Sequence, residues 1–497
     1  MAIKHNFTSP KSDGGDASLV KPSNWNANHT IEAGTAFTTP VITSPTINGT
    51  IVATAGSGLV RTATKVVAAN DADATVKLQA DYVCDGTADD VQIQAVIDSL
   101  SASGGKIILS EGTFDTTSAI ALVDNLVLRG MGKSTSITYS GADTTGGLTT
   151  GLFTLGIGGL SNIIIRDLAL NGAGLINCLF GKDVSNVLVE SCDIQSPTAA
   201  YNAYPIFLRG SHIRVLDNYL HDAMVGALCG KDSGDSFAAN DITYAFNHVY
   251  NTNDDSLAFD NVVGGKIIGN YIDRNDAAVG DHVSGVKIYG GCQYVYIAGN
   301  DILNLDNATY ITHGIKWEIG DDSSIGCDIT ISGNHIRTVS GSGVRAGGGW
   351  GANEPKNIIL QGNRIYDTNK LSNADDADIS LYSPLGMTIT GNRFNTFYIV
   401  TPHTWLDTID KVNDNIGYVT ENLGVASNVD LDASGVGVIA HGCDITPTWA
   451  SVQCQSANLN VRISSIDATN INIIVYDLDN AAINNVDTHD FYWQARV

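Results

Sequence analysis

Ile297-Ala298-Gly299-Asn300-Asp301-Ile302 is one of five near-copies of a phrase that recurs down the second half of this chain. The others are Ile267-Ile268-Gly269-Asn270-Tyr271-Ile272, Ile331-Ser332-Gly333-Asn334-His335-Ile336, Leu360-Gln361-Gly362-Asn363-Arg364-Ile365 and Ile389-Thr390-Gly391-Asn392-Arg393-Phe394; weaker copies centre on Asn218 and Asn247. Successive asparagines stand 29, 23, 30, 34, 29 and 29 residues apart. A recurrence of this size marks a stacked array in which each unit packs on its neighbours. Apolar residues lie three and usually five positions before each Gly-Asn (Val295 and Ile297, Ile329 and Ile331, Ile358 and Leu360, Met387 and Ile389) and again two positions after it. Two-residue steps are strand spacing rather than helix spacing. A second strand precedes each of these, as in Leu257-Ala258-Phe259, Val286-Lys287-Ile288, Ile315-Lys316-Trp317 and Val344-Arg345-Ala346. Two or three short strands per turn, stacked in parallel, predict an all-β chain built on a parallel β-helix. At each corner the Asn is expected to adopt the left-handed backbone conformation and to bond the Asn one coil above, a structural role.

At 497 residues the chain is too long for one compact core, a limit from which a solenoid is exempt. The net charge of −25 argues against nucleic-acid partners and against adhesion to anionic membranes. No apolar run approaches membrane-spanning length, and Met1-Ala2-Ile3-Lys4-His5-Asn6 lacks the apolar stretch of a secretory signal. The eight cysteines contain no Cys-x-x-Cys pair and fall mostly at strand positions, which suggests buried thiols; Cys443 and Cys454 are expected as the one plausible pair, across a hairpin.

Three regions follow from the pattern. Residues 1–70, rich in Thr, Ser, Gly, Ala and Asn, read as an extended segment that needs a partner to order. Residues 71–420 carry the β-helix. They open on Asp85-Gly86-Thr87-Ala88-Asp89-Asp90 and a helical stretch with an apolar stripe at Ile93, Val96, Ile97 and Leu100, which is expected to be capped by Asp89 or Asp90 and to plug the open end of the coil. Residues 421–497 alternate again without Gly-Asn and predict an antiparallel β-sandwich.

The run from Asp85 through Gly104-Gly105-Lys106-Ile107-Ile108-Leu109 to Glu111-Gly112-Thr113-Phe114 resembles the opening of the pectate-lyase-like β-helix superfamily, which includes tailspikes of bacterial viruses. That resemblance, with the crossover rule, implies a right-handed coil. Lys11-Ser12-Asp13-Gly14-Gly15 to Val20-Lys21-Pro22-Ser23-Asn24-Trp25-Asn26 is similar to the start of viral tail and fibre proteins, and the aromatic strand Phe491-Tyr492-Trp493 resembles the ends of fibre domains that close a homotrimer. The resemblance implies a virion tail protein acting outside the cell, attached to the tail or baseplate through its N-terminal segment.

The regular spacing also stacks outward positions into columns about 4.8 Å per coil apart. Ala258, Lys287, Lys316 and Arg345 differ by 29 each time; two residues on stand Asp260, Tyr289, Glu318 and Gly347, with Lys231 expected one coil earlier. Three residues before the cations come Asp255, Ser284, His313 and Ser342, beside Asp254 and His282. Stacked cations repel, a cost that is tolerated where it serves a site. Asn253-Asp254-Asp255 resembles the paired-aspartate strand of polygalacturonase-like glycoside hydrolases, His313-Gly314-Ile315-Lys316 their His-Gly-Ile strand, and Gly343-Val344-Arg345 part of their Arg-x-Lys strand. The sequence departs from that pattern: His313 follows Asp255 by 58 residues, Gly347 stands where the family has Lys, and the upstream Asn-Thr-Asp is not recognisable, leaving Asp232 or Asp235 as substitutes.

The resemblance implies hydrolysis of a surface or acidic polysaccharide, with Asp254, Asp255, His313 and Glu318 as catalytic candidates. Asp255 is the expected acid, since it shares the column with His313; alternation aims Asp254 away unless a bulge turns it outward. His282, Lys287, Tyr289, Lys316, Arg345 and Asp260 would bind the sugar. Two alternatives remain open. One is a lyase cutting a uronic-acid polymer, with Lys, Arg, His or Tyr as base and Ca²⁺ held by Asp254 and Asp260. The other is a non-catalytic spike or adhesin that holds sugar with this band and with Trp350 or Tyr382. No other cofactor or metal is expected.

Overall fold

The computed structural model describes residues 2–3, 29–30, 64–100, 103–143, 150–196, 203–232, 234–273, 283–305, 311–318, 327–346, 356–372, 376–382, 385–394, 396–400, 409–413, 415–416, 421–432, 434–443, 446–454, 459–476 and 488–496. The chain divides into two units, Met1–Val60 and Arg61–Val497. In the first, Ala2–Ile3 pairs antiparallel with His29–Thr30. The Lys11-to-Asn26 stretch lies outside the described residues.

The second unit holds a right-handed parallel β-helix with three columns of strands. The first column carries the strands that run into each Gly-Asn corner, Lys266–Ile268, Gln293–Ala298, Cys327–Ser332, Lys356–Gln361 and Leu385–Thr390, each paired in parallel with the next. The second column leaves the corner: Tyr271–Asp273, Asp301–Leu305, His335–Val339, Arg364–Tyr366. The third holds Leu257–Asp260, Val283–Tyr289, Thr312–Glu318, Val344–Ala346 and Ile379–Tyr382. The coil already runs at Thr64–Ala68, which pairs in parallel with Gly105–Leu109. Alternation turns one side of every strand inward, so that Ile267, Ile297, Ile302, Ile336, Ile358 and their neighbours fill a continuous dry core.

Asparagine secures one corner. Asn218, Asn247, Asn270, Asn300, Asn334, Asn363, Asn392 and Asn415 form a ladder in which each side-chain Nδ2 donates to the next Oδ1 at 2.8–3.1 Å, while the same Oδ1 accepts the backbone N–H of the Asn before it. A buried amide is costly unless bonded, and each of these is bonded on every side. The asparagines do not take the left-handed backbone conformation expected of them. The preceding glycine does, at φ +63° to +64° for Gly269, Gly299, Gly333, Gly362 and Gly391. Glycine carries no Cβ penalty there, which frees the Asn to aim inward. In the weaker copies Asp217 (φ 54°) and Phe246 (φ 57°) bear that strain instead.

Helix Asp90–Asp98 buries Ile93, Val96 and Ile97 against the core cluster, with Leu100 packed at its edge. Asp89 holds the N-cap position but makes no side-chain cap. Its oxygens accept from Gly86 N and Asp115 N, and Asp90 accepts from Thr117 N, so these carboxylates tie the helix to the first coil instead. A short helix, Ala74–Gln79, precedes it.

Past the coil, two three-stranded antiparallel sheets enclose a core of Val429, Leu431, Ile439, Ile471, Ile473, Val475 and Phe491. Glu421–Asp430 and Trp449–Cys454 flank Thr488–Arg496 in one sheet; Val436–Ala440 and Asn460–Ile466 flank Asn470–Tyr476 in the other. Cys443 and Cys454 are free thiols. The expected hairpin does not exist, because Val436–Ala440 and Trp449–Cys454 belong to different sheets, and both cysteines pack as small apolar residues in the sandwich core. Among the described residues no helix is long and apolar enough to cross a membrane.

Candidate active site

The third column carries the site. Its register puts Ala258 beside Lys287, Lys287 beside Lys316 and Lys316 beside Arg345, and it stacks Asp260, Tyr289 and Glu318. Gly230, not Lys231, pairs with Asp260. Strict alternation would send residues three apart to opposite faces, yet Ser284 pairs with His313 in the same outward band as the cations. Gly285, Gly314 and Gly343 permit this. A Cβ at these positions would stand 2.6, 2.5 and 2.3 Å from Cγ2 of Ile302, Ile336 and Ile365, so only bare backbone fits against the second column. The strand kinks at each glycine and turns the preceding side chain outward.

Lys287 Nζ lies 3.8 Å from Asp255 Oδ2 and 2.9 Å from Glu318 Oε2, and Lys316 Nζ lies 3.1 Å from the same Glu318 oxygen. Burial alone would raise the Glu318 carboxyl; the two ammoniums overcome it and hold the group down at about 2. For Lys287, burial works against the charge, but Asp255 and then Glu318 more than offset it and raise its pKa. Lys316 goes the other way. Burial and the neighbouring Lys287 lower it, and Glu318 only partly compensates.

His313 is buried, and its Nδ1 accepts the Ser342 N–H at 3.0 Å. That lone pair is spent, so the 3.9 Å approach to Asp376 is not an ion pair. Burial, with Arg345, Lys316 and Lys287 close by, pushes the imidazole well below its ordinary value, leaving a neutral ring with its proton on Nε2. Asp376 Oδ1 instead accepts from Ser342 Oγ at 2.6 Å and from Arg345 Nη1 at 3.1 Å.

Of the sequence candidates, Asp255, Lys287, His313, Lys316, Glu318 and Arg345 therefore form one network. Asp254 joins it: both aspartates act electrostatically on Lys287 and on Tyr204, whose phenol burial and these two charges push up to about 12. Asn253 and Asp254 precede the strand, and their backbone N–H groups donate to the Ala223 and Met224 carbonyls. Tyr289 is 39 % exposed at the rim, with Lys287 Nζ 5.7 Å from its ring centre. Asp260 accepts from Asn261 and stacks on Tyr289, on the same coil as Asp254 and Asp255. Asp232 and Asp235 pair with Arg209, and Asp235 also with Lys182, farther down the column. His282, Gly347 and Trp350 lie outside the described residues, as does the Tyr382 side chain.

Sequence reasoning missed Asp376, Ser380 and Tyr204. Arg345 stacks on Ser380, 35 residues on, so the 29-residue count passed over the coil that brings Asp376 in. Among the described residues no three of His, Cys, Asp and Glu cluster as a metal site requires.

Comparison with solved structures returns the A-module of a mannuronan C-5 epimerase from Azotobacter vinelandii at 18% identity and TM-score 0.48, covering 67% of this chain and 92% of that one. It also returns the catalytic unit of an alpha-1,3-glucanase from Streptomyces thermodiastaticus at 14% identity and TM-score 0.45, covering 65% and 64%. A surface adhesin of Streptococcus pneumoniae follows at 15% identity and TM-score 0.43, covering 67% and 90%. The likeness is distant. No protein-family model and no curated protein matches the sequence.

Proposed function

We propose that this chain is a polysaccharide depolymerase, a glycoside hydrolase working on the outward face of the third column of a tailspike-like protein. One observation carries the reading: Asp255 Oδ1, Ser284 Oγ and Asp376 Oδ2 are all buried there without a hydrogen-bond partner. Each such atom costs about 1–3 kcal/mol of folding stability. Three in one cluster mark positions that a ligand's hydroxyl groups, or ordered water in its absence, would satisfy.

Glu318 and Asp255 both face Lys287, Glu318 at 2.9 Å and Asp255 at 3.8 Å. Glu318 stays ionised at any ordinary pH under its two lysines, which suits it to stabilise the positive charge that develops on the sugar ring. Asp255 Oδ2 and Glu318 Oε2 both approach Lys287 Nζ and lie at most about 6.7 Å apart, the sum of their distances to it. Asp255 donates its proton to the leaving oxygen as the glycosidic bond breaks, and Asp254 takes the proton of the attacking water. Lys316 and Arg345 grip acidic groups of the polymer, and neutral His313 donates from Nε2 to a hydroxyl.

Elimination is the second reading, favoured by Lys316. Burial and then the neighbouring Lys287 lower its ammonium, the direction a general base requires. Ca²⁺ on Asp254 and Asp260 would belong to that chemistry. The rest of the proposal is a homotrimer closed by the C-terminal sandwich and attached to a virion through residues 1–70. The exposed Val425, Trp449 and Tyr492 on one sandwich sheet support such a contact.

Incubating the purified chain with a polysaccharide panel tests the activity. New reducing ends without ultraviolet absorbance from unsaturated uronates support hydrolysis. That absorbance would establish elimination, and binding without cleavage an adhesin.

A further inference from the structure

We infer that the outward wall of the first column is the surface on which a second copy of this chain packs alongside the coil. This rests on the homotrimer proposed above and names the wall that joins it. The central outward line of that wall runs from Val127 through Leu188, Lys266, Tyr296 and Ile359 to Thr388, and it holds no acid on ten successive coils. The other two columns both present acids, Asp260 and Glu318 on the third, Asp193 and Asp301 on the second.

Each edge of the wall is a corner that passes through the left-handed backbone region on coil after coil. Two residues before the central line the turn is made by Asn162, Asn186, His212, Asp241, Asp328 and Asn357, at φ 53–59°. Three residues after it the turn falls to Asp167, Ser191, Asp217 and then the glycines of the Gly-Asn phrase. Small and polar residues, glycine and asparagine above all, tolerate that conformation. One rung on each edge breaks the rule. Tyr294 (φ 54°) and Phe246 (φ 57°) carry large aromatic rings through the same turn, where a bulky residue is an outlier. Burial does not compensate them, since Tyr294 is 60 % and Phe246 67 % exposed. Val263, Tyr296 and Ile359 are exposed beside them. In the single chain this arrangement is unfavourable twice, in the backbone and in hydration, and a contact that covers the rings removes the second cost.

Charge and size name the partner. The chain carries a net −25, so two copies repel wherever acids face acids, and an acid-free wall is where they can meet. The exposed charge in the middle of the wall, Lys266, is a cation, which an acidic copy attracts. Aromatic residues enriched where acids are depleted is the composition of a protein interface core. Ten coils at about 4.8 Å per step, with strands about 16 Å long, make a wall of roughly 700 Å², close to the ~800 Å² that each partner contributes to a stable complex.

Sedimentation equilibrium and hydroxyl-radical labelling of the full chain test this. The chain is expected to sediment as an oligomer in which Phe246 and Tyr294 label at least about tenfold less than Tyr271, an exposed tyrosine on the second column. Ile359→Asp and Arg364→Asp place a carboxylate on two different walls of one coil. Ile359→Asp should weaken self-association about tenfold or more and restore labelling of Phe246 and Tyr294, whereas Arg364→Asp should change neither. Ile359→Thr, which matches Thr330 and Thr388 on the neighbouring coils, guards against misfolding and should weaken association in the same direction. An oligomer in which Phe246 and Tyr294 label as readily as Tyr271 overturns the inference and leaves the homotrimer standing. A monomer at every concentration overturns both. Protection that appears only when polysaccharide is added assigns the wall to sugar and also overturns the inference.

Discussion

The asparagine corner and the cation column are both ladders of like side chains, one rung per coil, in the same shaft. They differ in whether the rungs can satisfy one another. An amide has a donor at one end and an acceptor at the other, so Asn300 donates from Nδ2 to Asn334 and accepts at Oδ1 from Asn270, and the stack closes on itself while fully buried. Ammonium and guanidinium groups only donate. Lys287, Lys316 and Arg345 stack in the same register but depend on Glu318, Asp255 and Asp376 from other positions. A self-complementary ladder is complete as architecture. One that is not must recruit partners, and the leftover valences, such as Asp255 Oδ1, are where chemistry can enter.

The largest effect that would sharpen this contrast is on turnover. Asp255→Asn should lower polysaccharide cleavage about 10³-fold while polymer retardation stays within a few-fold, measured by reducing ends and affinity electrophoresis. Unchanged turnover would remove Asp255 from the chemistry. The same substitution strategy on the other ladder should move stability instead. Asn300→Ala orphans the Asn270 N–H and Nδ2–H and the Ile267 carbonyl. It should cost about 3 kcal/mol in urea denaturation with cleavage per folded molecule preserved.

Two glycines divide along the same line. Gly299→Ala meets open space and pays only for its φ of +63°, about 1 kcal/mol. Gly314→Ala would drive a methyl into Gly343 O and Ile336 Cγ2, both 2.5 Å away. It should cost more stability than Gly299→Ala and also lower turnover by shifting His313; equal melting temperatures for the two variants would contradict the kink.

Smaller still are the pH effects. Glu318 is depressed to about 2, so its contribution to stability is complete above the ordinary carboxylate range and is lost as pH falls toward 2; Glu318→Gln should flatten the acid limb of the melting curve. On the second column, His221 places Nε2 and Nδ1 each 2.7 Å from a carboxylate, Asp193 and Asp222. Two acceptors require an imidazolium. Burial opposes that charge, but the two aspartates prevail and raise its pKa. Its stabilisation is therefore present at low pH and fades as pH climbs above 6.5 and through the raised value, a slope that His221→Gln should remove.

Much of the coil was legible because Gly-Asn repeats at corners and apolar residues alternate between them. Even so, the reading placed the left-handed turn on Asn270, Asn300 and their fellows rather than on the glycine before each, since both residue types tolerate that conformation and only the inward aim of the amide distinguishes them. The Lys287–Lys316–Arg345 register could be counted because three coils in succession have the same length. Asp376 could not be found by counting, since its coil is longer, and Tyr204 could not because it approaches from a loop.

The sequence by itself determined the parallel coil, its asparagine seam, the plugging helix and the alignment of cations on one wall, because backbone hydrogen bonding converts chain spacing directly into position. Tertiary structure alone decided which acids neutralise those cations, and that the glycines at 285, 314 and 343 turn His313 and its column outward. Those contacts are made by side chains brought together from loops of unequal length, and no period records where such chains meet.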